Sequence, residues 1–297
     1  MNTTRAFDII EMRQLGPFAG MLDSIKIHGA IMSVMARSFP ADFPAYKASV
    51  AKGDVKFSSP LPVVGGKILV FKPILPIRPE TARPPRVSAI QKMRDFKKHK
   101  FITIECAREA VGKLVFELSN VVRSSEAIKG SGASFAEDDI PGVSLDRLTC
   151  EAKIFYRARK RSTTNTMAVL ADMGEWREKV IACLRYLGDA GLSKYRSIGF
   201  GRFAITRIID AEQFPSISGR QLLLSKFIPA PEDVQAINFA GSGFEIGTMT
   251  GFTSAGKEIS GIRYIKEGSV LETSKDLRGQ VVDLHPDYAV VGIPLAI

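Results

Sequence analysis

The chain has 297 residues, more than the roughly 100–150 of a typical single domain, and its 45% hydrophobic and 24% charged content excludes a disordered or fibrous protein. With 41 Lys and Arg against 31 Asp and Glu, the formal charge of +10 favours a polyanionic partner. The three cysteines, Cys106, Cys150 and Cys183, stand apart without a CxxC pair, which argues against a disulfide framework or a zinc site.

Residues 1–15 interleave Arg5, Asp8, Glu11 and Arg13 with apolar side chains, so no signal peptide is expected. No run reaches the ~20 apolar residues of a membrane span either, and a soluble chain in a reducing cytoplasm is the expectation. Residues 6–15 read as a strand. Residues 25–39 read as a helix, with Ile27, Ile31, Val34 and Met35 at helical spacing and Pro40 and Pro44 ending it. A Ser-Pro turn over 58–62 and then Gly65-Gly66 lead into a short strand over 67–75. Residues 83–100, with seven Lys or Arg and one Asp, predict a solvated excursion. Residues 124–142, with three glycines and Glu137-Asp138-Asp139, predict a loop.

A second unit begins near Leu145, dividing the chain into 1–144 and 145–297. Residues 153–161 alternate with the period of a strand, so Lys153, Phe155, Arg157, Arg159 and Arg161 share one face and Ile154, Tyr156 and Ala158 the other. Like charges on one face repel, which makes phosphate a plausible partner for the basic side. Asp172 and Glu175 resemble a capping box before a helix carrying Trp176, Val180, Ile181, Leu184 and Leu187, with Gly188 as its stop. A glycine-rich loop over 188–202 follows, and then a strand over 203–209. From Gln221 onward the pattern is almost all β. Together these elements predict an α+β protein with helices packed on antiparallel sheets.

The loop over 188–202 carries four glycines, no acid after Asp189, and the cations Lys194, Arg196 and Arg202. Glycines such as Gly199 and Gly201 let a backbone approach a phosphate closely and present its N–H groups. Neither the Walker nor the dinucleotide pattern is met, because no Gly-Lys-Ser/Thr occurs and a strand follows the glycines. No nucleotide cofactor is expected.

The run Gly-Leu-Ser-Lys-Tyr-Arg-Ser-Ile-Gly-Phe-Gly-Arg-Phe over 191–203 resembles the glycine-rich loop of the repeat-associated mysterious protein (RAMP) superfamily. Further segments are similar to the cap subunits of type III-A CRISPR effector complexes. They are Ile-His-Gly-Ala-Ile at 27–31, Ser-Ser-Pro-Leu-Pro at 58–62 leading to Lys72-Pro73, Leu-Asp-Arg-Leu-Thr at 145–149, and Lys-Glu-Gly-Ser-Val at 266–270. His28 is followed by Gly-Ala where many relatives carry Ser-Asp-Thr.

The resemblance implies two ferredoxin-like (RRM-like) domains and a non-catalytic subunit. Such a subunit grips the 5′ handle of the CRISPR guide RNA and contacts the large signalling subunit and the backbone subunits. Together with the basic strand face and the loop chemistry, the resemblance gives the expected RNA-binding set Lys26, His28, Lys72, Asp146, Arg147, Lys153, Arg157, Arg159, Arg161, Lys194, Arg196, Ser197, Gly199, Gly201 and Arg202, with no metal and no cofactor. Three alternatives stand beside it: the equivalent subunit of a type III-B complex, a protein-only scaffold, and an RNA-cleaving member of the superfamily. The last would use His28 as general base and Lys26 as its cationic partner.

Overall fold

Apolar side chains fall on both faces of β1 (Thr4–Gln14): Phe7 and Ile9 on one, Ile10 and Met12 on the other, all four buried. A strand with that pattern needs cover on two sides. In the computed structural model, which describes residues 4–78, 87–117, 135–192, 194–215, 219–252, 258–285 and 288–297, β1 runs between two antiparallel neighbours. They are β10 (Thr166–Asp172) and β11 (Phe203–Pro215). Beyond β10 come β3 (Leu61–Val64), β4 (Lys67–Phe71) and β6 (Phe101–Thr103), and β2 (Lys56–Phe57) also pairs with β10, giving a seven-stranded sheet.

Helices α1 (Ser24–Ser38), α2 (Phe43–Lys52) and α5 (Arg177–Ala190) cover one face, packing on Ile10, Met12, Met167 and Val169. The other face is covered by α4 (Ile104–Lys113), by Phe96 of α3 (Val87–Lys98) and by the chain end at Leu295 and Ile297. A short parallel pair joins β5 (Ile77–Arg78) to β7 (Phe116–Glu117), and β8 (Phe135–Leu145) with β9 (Ala152–Ser162) forms a separate two-stranded hairpin.

After β11 the chain is β-rich, as expected, with one short helix, α6 (Pro231–Ala236). A three-stranded sheet takes β12 (Arg220–Leu222), β13 (Ile237–Gly243) and β16 (Val270–Thr273). Two hairpins follow: β14 (Ile246–Phe252) with β15 (Glu258–Ile265), and β17 (Val281–His285) with β18 (Tyr288–Val291). The fold is thus mixed α and β with mostly antiparallel sheets. Its main sheet draws strands from both sides of the 144/145 boundary.

Several local expectations are corrected. Pro44 does not merely end α1; it occupies the first turn of α2, where a missing N–H costs nothing. Asp172 and Glu175 form no capping box, because a 3-10 turn over Gly174–Trp176 precedes α5. Gly188 lies inside α5 against Phe203, and the helix instead ends at Gly191, whose φ is positive at 84°. Of the expected loop over 124–142, residues 124–134 lie outside the described residues and 135–142 belong to β8. Residues 83–86 also lie outside, while 87–98 of the basic excursion form α3, whose Phe96 is fully buried against Phe116.

Candidate nucleic-acid interface

The basic strand is β9, and it pairs with β8 from Phe135↔Ser162 to Leu145↔Ala152. The predicted faces hold, but their surroundings differ from expectation. Ile154 and Tyr156, on the apolar face, are 68% and 69% exposed, and Val143 and Leu145 beside them are also exposed, so this face packs on no core. The basic face is partly neutralised: Asp138 of β8 takes a two-pronged ion pair from Arg159. Hydrogen bonding from Arg159 holds the Asp138 carboxyl below the usual range. On the opposite face Lys160 pairs with Glu137 at 3.0 Å. The acidic cluster that reads as loop is therefore the strand that balances β9.

At the hairpin tip, Asp146 accepts hydrogen bonds from the backbone N–H of Leu148 (2.8 Å) and Thr149 (3.1 Å), which also lower its pKa. Its carboxylate shapes the turn, and Arg147 stands exposed beside it. Lys153 and Arg161 are exposed as well.

In the glycine-rich loop, Arg196–Ile198 forms a 3-10 turn flanked by two left-handed residues, Tyr195 (φ 65°) and Gly199 (φ 87°). Gly201 also has positive φ, at 76°. Lys194, Arg196, Ser197 and Arg202 are exposed, whereas Phe200 is buried and anchors the loop. A Cβ placed on Gly199 would meet nothing within 4 Å, so its open side can admit a phosphate.

Residues 14–18, the end of the first strand and the turn after it, to which the sequence pattern assigns no functional role, fix both elements. The N–H groups of Leu15 and Gly16 donate to the Arg202 carbonyl (2.9 and 3.0 Å), and Gly201 N–H donates to Pro17 O (2.7 Å). Phe18 exchanges two backbone hydrogen bonds with Lys160, of 2.8 and 2.9 Å. Gln14, almost buried, donates to Gly16 O (2.9 Å) and Lys160 O (3.1 Å) and accepts from Ser162 N–H (2.8 Å). Residues 14–18 thus tie the foot of β9 to the glycine-rich loop through backbone groups and the Gln14 side-chain amide. A Gly-Pro pair next to a strand end was the only available hint.

The two predicted elements also meet through side chains. The Arg157 guanidinium lies 4.5 Å from the Phe155 ring centroid and 5.2 Å from that of Tyr195. Cation–π contacts of this kind are worth about 0.5–1 kcal/mol each at exposed sites. They align the basic strand face with the loop.

The remaining predicted residues are engaged elsewhere. Lys26 pairs with Asp23 at 3.3 Å and donates to Met21 O, and Asp23, the N-cap of α1, also binds Lys226 at 2.9 Å. Lys72 donates to the carbonyls of Phe96 (3.0 Å) and Lys97 (2.9 Å), capping the C-terminus of α3, and burial followed by Lys97 lowers its pKa. His28 is fully buried with its ring 4.8 Å from Phe57, and neither ring nitrogen has a hydrogen-bond partner among the described residues. Burial pushes its pKa down to about 3. No group of three or more metal-binding side chains occurs among the described residues.

No family model and no curated protein matches this chain. Solved structures do. A chain of the Csm3–Csm4 subcomplex of the type III-A CRISPR-Cas interference complex is 15% identical with a TM-score of 0.61, covering 98% of both chains. A chain of the Csm1–Csm4 cassette in complex with cA4 is 14% identical with a TM-score of 0.60, and one from the cassette with pppApA is 15% identical with a TM-score of 0.57. Each covers 98% of this chain and 97% of its own. At these identities the likeness establishes a common fold over the full length.

Proposed function

We propose that this chain is a non-catalytic guide-RNA-binding subunit of a type III CRISPR effector complex that grips the repeat-derived 5′ handle. The observation that carries the reading is the joining of the basic strand and the glycine-rich loop, through residues 14–18 and through Arg157 and Tyr195, into one cationic surface. Such a surface suits a single strand, offering separated cations, open backbone at Gly199 and exposed aromatic area. The full-length likeness to chains of Csm3–Csm4 and Csm1–Csm4 assemblies supports membership of the RAMP superfamily and two kinds of protein partner, a large signalling subunit and backbone subunits. The burial of His28 speaks against the cleaving alternative, because a base sealed beside Phe57 reaches no ribose hydroxyl.

The test is native affinity purification followed by sequencing of the bound RNA. Guide RNAs sharing one fixed 5′ end are expected, together with co-purifying signalling and backbone subunits. Recovery without RNA would refute the reading. Cleavage of repeat RNA by the isolated chain, abolished in His28→Ala, would replace it with the endoribonuclease.

A further inference from the structure

Tyr195 occupies the left-handed backbone region, at φ 65°, where an aromatic residue is rarely found. That conformation does not serve the core, because the side chain is 45% exposed. Phe200 buttresses its ring, with centroids 5.6 Å apart and planes at 71°, and the Arg157 guanidinium lies 5.2 Å from its centroid. Arg157 is in turn 4.5 Å from Phe155, whose ring rests on Gly142, where a Cβ would lie only 2.7 Å from the Phe155 Cζ. Phe155, Arg157 and Tyr195 thus form a column with Tyr195 at its exposed end. The Nε of Arg157 is buried and has no hydrogen-bond partner among the described residues.

We propose that Tyr195 is the stacking platform for an unpaired nucleobase, which would complete the column above Arg157 and Phe155. This rests on the RNA-binding reading and assigns it a subsite. A planar base is favoured over a phosphate because the face of an aromatic ring is electron-rich and repels an anion, while it accepts another π-system in offset stacking. A guanidinium beneath the ring strengthens the arrangement, since its delocalised charge draws on the same π-electrons. Lys194 and Arg196 flank Tyr195 in the chain and are exposed, so neighbouring phosphates have cations within the same loop. Stacking of this kind tolerates any base.

The test uses a single-stranded oligoadenylate RNA of about 12 nucleotides, and the same strand with one abasic ribose placed at each position in turn. Removing a stacked base typically weakens binding about 5- to 150-fold. Tyr195→Ala and Tyr195→Leu are expected to lose affinity in that range with an unchanged salt slope, since neither removes a charge. Tyr195→Phe is expected to bind as the wild type does. One abasic position should weaken the wild type while costing Tyr195→Ala nothing further.

If the wild type binds and Tyr195→Ala binds equally well, the subsite is refuted and the RNA-binding reading stands. Loss in Tyr195→Phe equal to that in Tyr195→Ala would mark a hydroxyl contact and also refute stacking. A wild type that binds none of these strands overturns the RNA-binding reading and the subsite together. Because Tyr195 is half exposed, its variants should fold, and Tyr195→Leu retains apolar bulk should Tyr195→Ala lose structure.

Discussion

Gly16 sits against the carbonyl of Gly199 so closely that a Cβ on Gly16 would fall well inside contact distance of that oxygen. The oxygen is a backbone atom and the position of a Cβ is fixed by its own backbone, so neither can yield by a rotamer change. Gly16→Ala therefore has to push the glycine-rich loop off its seat on residues 15–18, and a forced overpacking of this kind costs about 1–3 kcal/mol. The expected result is a lower midpoint in urea and weaker RNA binding with the salt slope retained, because every cation remains. Wild-type affinity in Gly16→Ala would show that the seat does not position the loop.

Asp138 holds Arg159 across the hairpin through Nε and Nη2, so the charge Arg159 offers a phosphate is already partly neutralised. Opposite Arg161 on β8 stands Ala136, and Arg161 feels Asp138 through charge attraction without the two-pronged hydrogen bonding that holds Arg159. Arg161→Ala should then weaken RNA binding more than Arg159→Ala. Asp138→Asn, which frees Arg159, should tighten binding at low salt and steepen the slope of log K by about 0.7 for one added contact to a single strand. Equal affinities and slopes across the three variants would leave the face as solvated surface.

His28 is neutral in the fold, with a pKa near 3 against an ordinary 6.5. Between those values the unfolded chain binds a proton that the folded chain does not, so stability rises with pH across that window and is lost as pH falls through it. The slope approaches about 1.4 kcal/mol per pH unit for one proton. Urea unfolding at about pH 7.5, 6 and 5 should show the wild type losing more stability on acidification than His28→Leu or His28→Phe. Coincident pH profiles would show that His28 is solvated and available for protonation.

The parts of this architecture visible in the sequence are those encoded by local period. β1, α1, β9 and the glycine-rich loop stand where alternation, helical spacing and glycine placement put them. Period, however, states which side chains share a face and not what covers it: Ile154 and Tyr156 do share one, and it is open to water. β8 was illegible because Pro141, Gly142 and three consecutive acids carry loop chemistry, and only its pairing with β9 makes it a strand. Residues 14–18 were illegible for a different reason. The Gln14 side-chain amide bonds the Lys160 carbonyl and the Ser162 N–H, and Gly16 approaches the Gly199 carbonyl; these partners lie more than 140 positions away, and no single-sequence pattern encodes them.

Gly199 and Arg196 separate backbone shape from charge within one loop. At φ 87° Gly199 occupies a region that costs a residue with a Cβ about 1–2 kcal/mol, yet nothing lies within 4 Å of where that Cβ would stand. Gly199→Ala is therefore expected to fold, with Tm lowered by a few degrees at most, and to bind handle RNA more weakly because the methyl group occupies the open side at which a phosphate approaches. Its salt slope should match the wild type. Arg196→Ala, at an exposed position, should leave Tm unchanged and reduce the slope by about 0.7. Titrations of both variants at several salt concentrations distinguish the two effects. If Gly199→Ala binds as the wild type does, the glycines serve the turn alone, and the phosphate contacts belong to β9 and to Arg147 at the hairpin tip.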